Sequence, residues 1–410
     1  MDNELREWRG RIERRLPGML ELLRSWVGVN SHTSNRAGVA RLGRLTAEAF
    51  RPLGFEADFV PHADPALGDH LVLTRRGRSD RTVALVSHLD TVFEEDEEER
   101  NGFRWQVEGD RAYGPGTIDI KGGSAMMHLV LSALAEGDPE AFEAVTWVAM
   151  WDASEETLSE HFAEVSQARL DPDRTCAALV FEAEGRPNGR PSLVVARKGR
   201  ATVRMTVEGR GAHAGVRHAD GANAITQLGR LVDRIAGLTD YGRELTVNVG
   251  RVEGGGAVNR VPHWAEAEVE LRAFRPDVLR AGIEALRRMA GEGDVASVSD
   301  GHRCRVRMEV LTENPPWPRN DGTEGLFTIW NSVAMGLGAG LDRQERGGLS
   351  DGNWLCGRVP TLDGLGPYGE HDHCSERSAD GSKVPEYLHL PSVAPKALLN
   401  VLALRRLIRG

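Results

Sequence analysis

Three short runs constrain the fold more than any other feature. TVALVS (82–87), AVTWVAMW (144–151) and CAALVF (176–181) are apolar nearly throughout. A strand with one wet face alternates apolar and polar residues, whereas a strand covered on both faces has no need to. Helical patterns such as GGSAMMHLVLSALAEG (122–137) lie between the runs. This alternation predicts an α/β layer on a mostly parallel sheet.

The texture changes near residue 200. ATVRMTVEG (201–209), WAEAEVELRAF (264–274) and RCRVRMEVL (303–311) alternate strictly, the pattern of strands with one solvated face. With a further strand at 245–252 and helical stretches at 221–237 and 276–290, the order is β-α-β-β-α-β. That is a split, ferredoxin-like unit. After residue 315 the buried texture returns: GTEGLFTIWNSVAMGLG (322–338) reads as a helix, PTLDGLG (360–366) as a short buried strand and SVAPKALLNVLALRRLI (392–408) as a closing helix. The expectation is a discontinuous α/β domain over 1–199 and 315–410, with a second domain over 200–314 inserted into it. A chain of 410 residues is long enough for two domains.

Composition excludes some partners. The net charge of −10 argues against nucleic acid, whose partners carry a basic footprint. No apolar stretch reaches the ~18 residues of a membrane span, and MDNELREWRGRIERRL at the start has no apolar core of a secretory signal. Cys176, Cys304, Cys356 and Cys374 are scattered without CxxC spacing, which fits a reduced, cytoplasmic protein. Any metal would therefore need imidazole and carboxylate ligands. The acidic run EEDEEER (94–100) reads as a solvated loop.

In open α/β sheets, ligands bind beyond the carboxyl ends of the strands, and the polar residues there form a pattern. The first buried run ends in His88 and Asp90, and YGPGTIDIKGG places Asp119 in a glycine-rich loop before a helix. The next runs end in Glu155 and Glu156, then in Glu182 and Glu184. The last short strand leads to His371 and His373 in GEHDHCS. Each alone has a bland reading as a packed or surface residue. Carboxylates converging on one sheet end repel and raise one another's pKa, and a pair of divalent cations would resolve this. Two-metal hydrolytic sites hold their ions ~3.5–4 Å apart, with Asp119 a candidate bridge.

These motifs resemble those of the di-zinc aminoacylase and carboxypeptidase family, which includes glutamate carboxypeptidase, acetylornithine deacetylase and succinyl-diaminopimelate desuccinylase. SHLDTV, GPGTIDIKGG, SEE, GRGAHAG, GGGAVNRVP and GGLSDGN all have counterparts there, across nearly the whole chain. The resemblance implies a zinc-peptidase-like catalytic domain with an inserted lid and dimerisation domain, and two divalent ions: zinc, with cobalt or manganese as alternatives. His88, Asp119 and Glu182 would hold one ion, and Asp119, Glu156 and His373 the other. Glu155 would be the general base acting on a metal-bridged water, and Asp90 would orient His88. His213 would stabilise the oxyanion in the partner's site. Asn259, Arg272 and Gly348 would bind the substrate. Ser154 stands where the family carries aspartate, and TLSE (157–160) replaces its usual Gly-Ser. Glu184 rivals Glu182, His371 rivals His373, and a surface ion pair is the rival reading of Arg272.

The expected function is a cytoplasmic, homodimeric metallopeptidase or amidohydrolase acting on an N-acyl amino acid or short peptide. An alternative is hydrolytic deamination of an aromatic amine at the same site. A silent binding protein is a further alternative, which the intact Glu155 and Asp119 disfavour.

Overall fold

The computed structural model describes residues 2–157 and 160–410. The chain divides into two compact units. The first comprises Met1–Val195, Arg319–Glu345 and Ser350–Gly410, and the second Ala196–Pro318 and Arg346–Leu349.

The first unit is built on a six-stranded sheet in the order Glu56–Val60, His70–Arg75, Thr146–Asp152, Thr82–His88, Thr175–Val180, Thr361–Leu362. The last four run parallel, and the two at the other edge are added antiparallel. The three apolar runs are the three inner parallel strands, and Val83 to Val86 are fully buried. Helices Asp2–Val27, Lys121–Gly137 and Val393–Arg409 pack together over one face, their Trp8, Met19, Met126 and Val401 sharing a core with Leu85 and Trp151 of the sheet. A smaller core of Val86, Met150, Val180, Phe162 and Leu355 fills the other face. Burial on both sides explains why these strands show no alternation. Their carboxyl ends all point the same way, which brings the polar residues after them to one rim.

The second unit is a five-stranded antiparallel sheet in the order Thr246–Gly254, Trp264–Ala273, Gly199–Glu208, Arg303–Asn314, Gly291–Ala296. Trp264–Ala273 and Gly199–Glu208 alternate buried and half-buried at every residue. Helices Ala224–Ala236 and Pro276–Arg287 cover the apolar face with Leu228, Leu231, Ile283 and Leu286. Sequence patterning accounts for four of these strands. The fifth, GEGDVA, is an edge strand paired on one side and mostly exposed. Such a strand needs no alternating apolar face, so periodicity does not reveal it.

The acidic run is not a loop. Glu95–Asn101 is a helix with Glu95, Asp96, Glu97 and Glu98 in its first turn. Negative charge there complements the positive end of the helix dipole. Gly102, at φ 57°, ends it in the left-handed conformation that glycine adopts without steric cost. Glu98 turns inward and accepts from Asn30 Nδ2 at 2.9 Å.

Candidate metal centre

The site assembles at the carboxyl rim of the first unit's sheet. His88 is the last residue of its strand and is 2 % exposed. Its Nδ1 lies 2.9 Å from the Asp90 carbonyl and 3.3 Å from Asp90 Oδ1, which aims Nε2 outward. There Nε2 meets Asp119 Oδ1 at 3.0 Å and Glu182 Oε1 at 3.8 Å. The other oxygen of Asp119 faces His373 Nε2 at 3.2 Å, and the same nitrogen is 3.3 Å from Glu156 Oε2. Asp119 therefore stands between two groups: His88 with Glu182 on one side, His373 with Glu156 on the other. His88, Asp119 and Glu156 each present a ligand atom within 4.8 Å of the others'.

The loop carrying Asp119 is shaped by its glycines. A Cβ on Gly122 would sit 2.1 Å from the Thr117 carbonyl oxygen, and one on Gly123 would sit 2.0 Å from that of Phe181. Only glycine allows helix Lys121–Gly137 to start so close to the strand end. Lys121 points into the core, where its Nζ donates to the Val29 carbonyl at 2.9 Å, so it is a structural member of the motif.

The electrostatics are those of crowded carboxylates. Burial, then the charge of Asp119, push the Glu156 carboxyl up to about 7. Burial also raises Glu155 well above the carboxylate range, with Glu182, Glu156 and Asp119 adding to it and His88 opposing. Burial opposes ionisation of Asp119 as well, but its bonds to His373 and His88 hold it well below the ordinary range. His373, bonded to Asp119 and Glu156, is pulled up to about 11. His88 rises despite full burial because Asp119 and Asp90 flank it. Glu156 Oε1 is buried without a hydrogen-bond partner. Two imidazoles among more carboxylates, with one buried oxygen unpaired, form an N/O donor set that fits divalent cations.

The rival residues Glu184 and His371 have surroundings of their own. Glu184 is 5 % exposed and tied to Lys396 Nζ at 3.0 Å and Arg186 Nε at 2.8 Å. His371 packs its ring against Tyr387, with centroids 5.9 Å apart. Both His371 and His373 adopt positive φ, 65° and 62°.

Four expected residues belong to the second unit. His213 is exposed in a turn whose Gly215 and Val216 N–H groups donate to its Nδ1 at 3.1 and 3.2 Å. That turn bridges the loop of Asn259: Ala214 N donates to the Asn259 carbonyl at 2.9 Å, so the two side chains emerge from adjoining backbone. Arg272 is held by Glu270 on its own strand, at 2.7 and 3.1 Å, and donates to the Gly347 carbonyl at 2.9 Å. Gly348 accepts from Arg197 Nη1 at 3.0 Å.

Sequence reasoning missed three residues. Thr33 donates its hydroxyl to Asp90 Oδ2 at 2.7 Å. Asp351, in GGLSDGN, is buried, and its carboxyl is pushed well up by burial and by Asp152, Glu155 and Glu182, with His88 opposing. Glu386, in the polar stretch after His373, is fully buried and accepts from the Ile118 and Asp119 N–H groups at 2.8 and 3.3 Å. Only Asp351 lay in a motif already singled out. Asp90 also does more than orient His88: its two oxygens accept from Glu155 N at 3.1 Å and Glu156 N at 3.2 Å.

Residues 195–295 match the M20 peptidase dimerisation domain. Carboxypeptidase G2 of Pseudomonas sp. (strain RS-16) is 26 % identical over 379 residues, covering 91 % of this chain and 88 % of that protein. The chain is similar to M20 metallopeptidases. Acetylornithine deacetylase of Klebsiella pneumoniae (strain 342) is 28 % identical over 326 residues, 75 % of this chain and 79 % of its own. The fold is shared with an aminopeptidase, PepT, of Bacillus cereus, at a TM-score of 0.75 and 23 % identity, covering 96 % of this chain and 99 % of that one. The chain is an enzyme, a hydrolase of the peptidase and deacetylase type. No helix among the described residues is long and apolar enough to cross a membrane.

Proposed function

We propose that this enzyme hydrolyses the amide bond of an N-acyl or short peptidyl amino acid, using two divalent metal ions. The observation that carries the reading is Asp119 standing between His88 with Glu182 and His373 with Glu156. His88, Asp119 and Glu182 would hold one ion, and Asp119, Glu156 and His373 the other, with zinc suited to these donors and cobalt or manganese able to replace it. Bound there, the ions would polarise the scissile carbonyl and make water a stronger nucleophile at neutral pH.

The chain's own groups carry the protons. Glu155 takes the proton of the attacking water on a carboxylate oxygen and returns it to the departing amine nitrogen. Its raised pKa suits a group that must hold a proton and then release it. Asp90 fixes the backbone of Glu155 and Glu156 together with the His88 ring. His213 accepts backbone donors at Nδ1, so its Nε2 carries the hydrogen and can donate to an oxyanion. We assign that role to it, acting in the partner's site of a homodimer joined through the second unit. Asn259 and the Gly348 backbone would bind substrate. Arg272 would clamp a substrate carboxylate in exchange for Glu270. The free cysteines Cys176, Cys304, Cys356 and Cys374 favour a cytoplasmic setting.

The test is amine release from a panel of N-acyl amino acids and dipeptides by zinc- and cobalt-loaded protein, with a chelated control. Chelator-sensitive cleavage, abolished in Glu155→Ala with both metals retained, is the expected result. Ammonia released from arylamines, with no N-acyl or peptidyl acid cleaved, overturns the reading.

A further inference from the structure

A second cluster of imidazoles lies in the first unit, built from residues that the hydrolytic site does not use. His62 follows strand Glu56–Val60, His70 opens strand His70–Arg75, and His161 opens helix His161–Arg169. Their rings form a near-equilateral triangle, with centroids 4.9, 5.2 and 5.1 Å apart. Each presents a ring nitrogen within 4.8 Å of the others'. His70 is fully buried, and the other two are half-buried.

The tautomers decide what this triangle can hold. The Asp152 carboxylate lies 3.1 Å from His70 Nδ1. The Ala153 N–H donates to that same Nδ1 at 3.1 Å, so in the metal-free protein the His70 hydrogen sits on Nε2. That nitrogen faces His161 Nδ1 at 3.0 Å. The Ala63 N–H donates to the same His161 nitrogen at 3.3 Å, so His161 Nδ1 presents a lone pair. A divalent cation would take the place of the hydrogen between these two nitrogens, with the His70 hydrogen moved to Nδ1 beside Asp152. Two nitrogens on one tetrahedral zinc, each at ~2.0–2.1 Å, are about 3.3 Å apart. Burial and the neighbouring His70 and His161 lower the His62 pKa, with Asp152 opposing, so this imidazole is neutral near pH 7 and able to ligate. A backbone N–H from Asp64 reaches His62 Nδ1 at 2.8 Å, and His62 Nε2 lies 3.1 Å from Ser154 Oγ. The Asp64 bond is exposed, and water replaces that donor's partner when the ring turns to a ligand. Asp152 Oδ2, buried and without a hydrogen-bond partner, places uncompensated negative charge behind His70.

We propose that His62, His70 and His161 form a binding site for one borderline divalent cation, zinc foremost, backed by Asp152 and separate from the hydrolytic centre. Three imidazole nitrogens suit zinc, copper or nickel and disfavour calcium and magnesium, which take oxygen ligands. The ion would staple the loop after the first strand to the start of helix His161–Arg169. Both flank the Ser154-Glu155-Glu156 segment, and His62 already touches it through Ser154.

The experiment is a metal count by equilibrium dialysis against Zn²⁺ and elemental analysis of the whole chain, together with its His62→Gln/His161→Gln and Asp119→Ala variants. The double histidine variant is expected to bind one equivalent fewer than the parent and to lose part of the zinc-induced rise in Tm. Asp119→Ala is expected to lose metal independently. An unchanged count in the double variant overturns the site and leaves a hydrogen-bonded or protonated histidine cluster. An unchanged count in Asp119→Ala counts against the hydrolytic reading alone. Should the double variant not fold, Cu²⁺ titrated into the parent decides. Electron paramagnetic resonance showing one copper coupled to three nitrogens supports the site. Coupling to no more than two overturns it, since neither ion of the hydrolytic centre has more than one imidazole.

Discussion

Glu386→Gln separates the charge of a buried carboxyl from its hydrogen bonds. Glu386 is fully buried, and its Oε1 receives the Ile118 and Asp119 N–H groups. Burial first, then the charge of Asp119, push its carboxyl up to about 8 from an ordinary 4.5, while the two N–H bonds oppose the rise. A folded pKa above the unfolded one means that folding favours the protonated acid. The stability it contributes is complete below about pH 4.5 and is lost as pH rises through about 8. At 1.36 kcal/mol per pH unit the full loss is on the order of 4–5 kcal/mol. Glutamine keeps an oxygen for the same two N–H groups and cannot ionise. Urea denaturation of metal-free protein, followed by tryptophan fluorescence at pH 5 and pH 8.5, compares the two. The variant is expected to match the parent within about 1 kcal/mol at pH 5 and to exceed it by roughly 2–4 kcal/mol at pH 8.5. Metal bound beside Asp119 should narrow the gap. Parallel pH profiles for the two proteins would refute the reasoning, because they would mean that Glu386 is not held protonated by its surroundings.

Asp90→Ala removes the acceptor of the Thr33 hydroxyl and of the Glu155 and Glu156 N–H groups. At ~1–3 kcal/mol for each orphaned buried donor it should cost on the order of 4 kcal/mol in urea denaturation and weaken metal retention. His373→Ala should lower metal affinity at least about tenfold by competition with a chromogenic chelator, whereas His371→Ala should leave it essentially unchanged. Lys396→Met strips Glu184 of a buried partner at 3.0 Å and should cost about 3 kcal/mol with the metal count unaltered. Loss of metal in that variant would reopen Glu184 as a ligand.

Much of the fold was legible because burial leaves a mark on composition. The three inner strands read as apolar runs, and the central strands of the second unit read as strict alternation, each pattern following from how many faces are covered. Glu56–Val60 and His70–Arg75 were not read, since the former is largely exposed and the latter, though buried, is short and ends in polar residues. The edge strand Gly291–Ala296 and the acidic helix Glu95–Asn101 carry no apolar periodicity at all, so nothing in their pattern separates them from loop. In the site, the strand ends and the glycine loop single out His88, Asp119 and Glu156, with Glu182 beside Glu184 and His373 beside His371 as rivals. What sets Glu184 apart, its ion pair with Lys396, joins residues more than 200 positions apart in the chain.

The residues that escaped the sequence share a physical trait. Thr33 and Glu386 act on the site through hydrogen bonds with Asp90 and with the backbone N–H groups of Ile118 and Asp119, and a backbone donor has no residue type to betray it. Asp90 and Glu386 form a matched pair in this sense. One collects the N–H groups of Glu155 and Glu156, and the other those of Ile118 and Asp119. Two of the loops that present carboxylates to the site are thus anchored from behind by another buried acidic side chain. Asp90 places a further carboxylate where negative charge is already in excess, which a bound cation offsets, whereas Glu386 holds its loop as a protonated acid. The bonds of Asp90 to the Glu155 and Glu156 N–H groups are charge-assisted, about twice as strong as neutral ones. A sequence in which Asp90 or Glu386 became alanine would keep every expected ligand and still lose the geometry that aligns them.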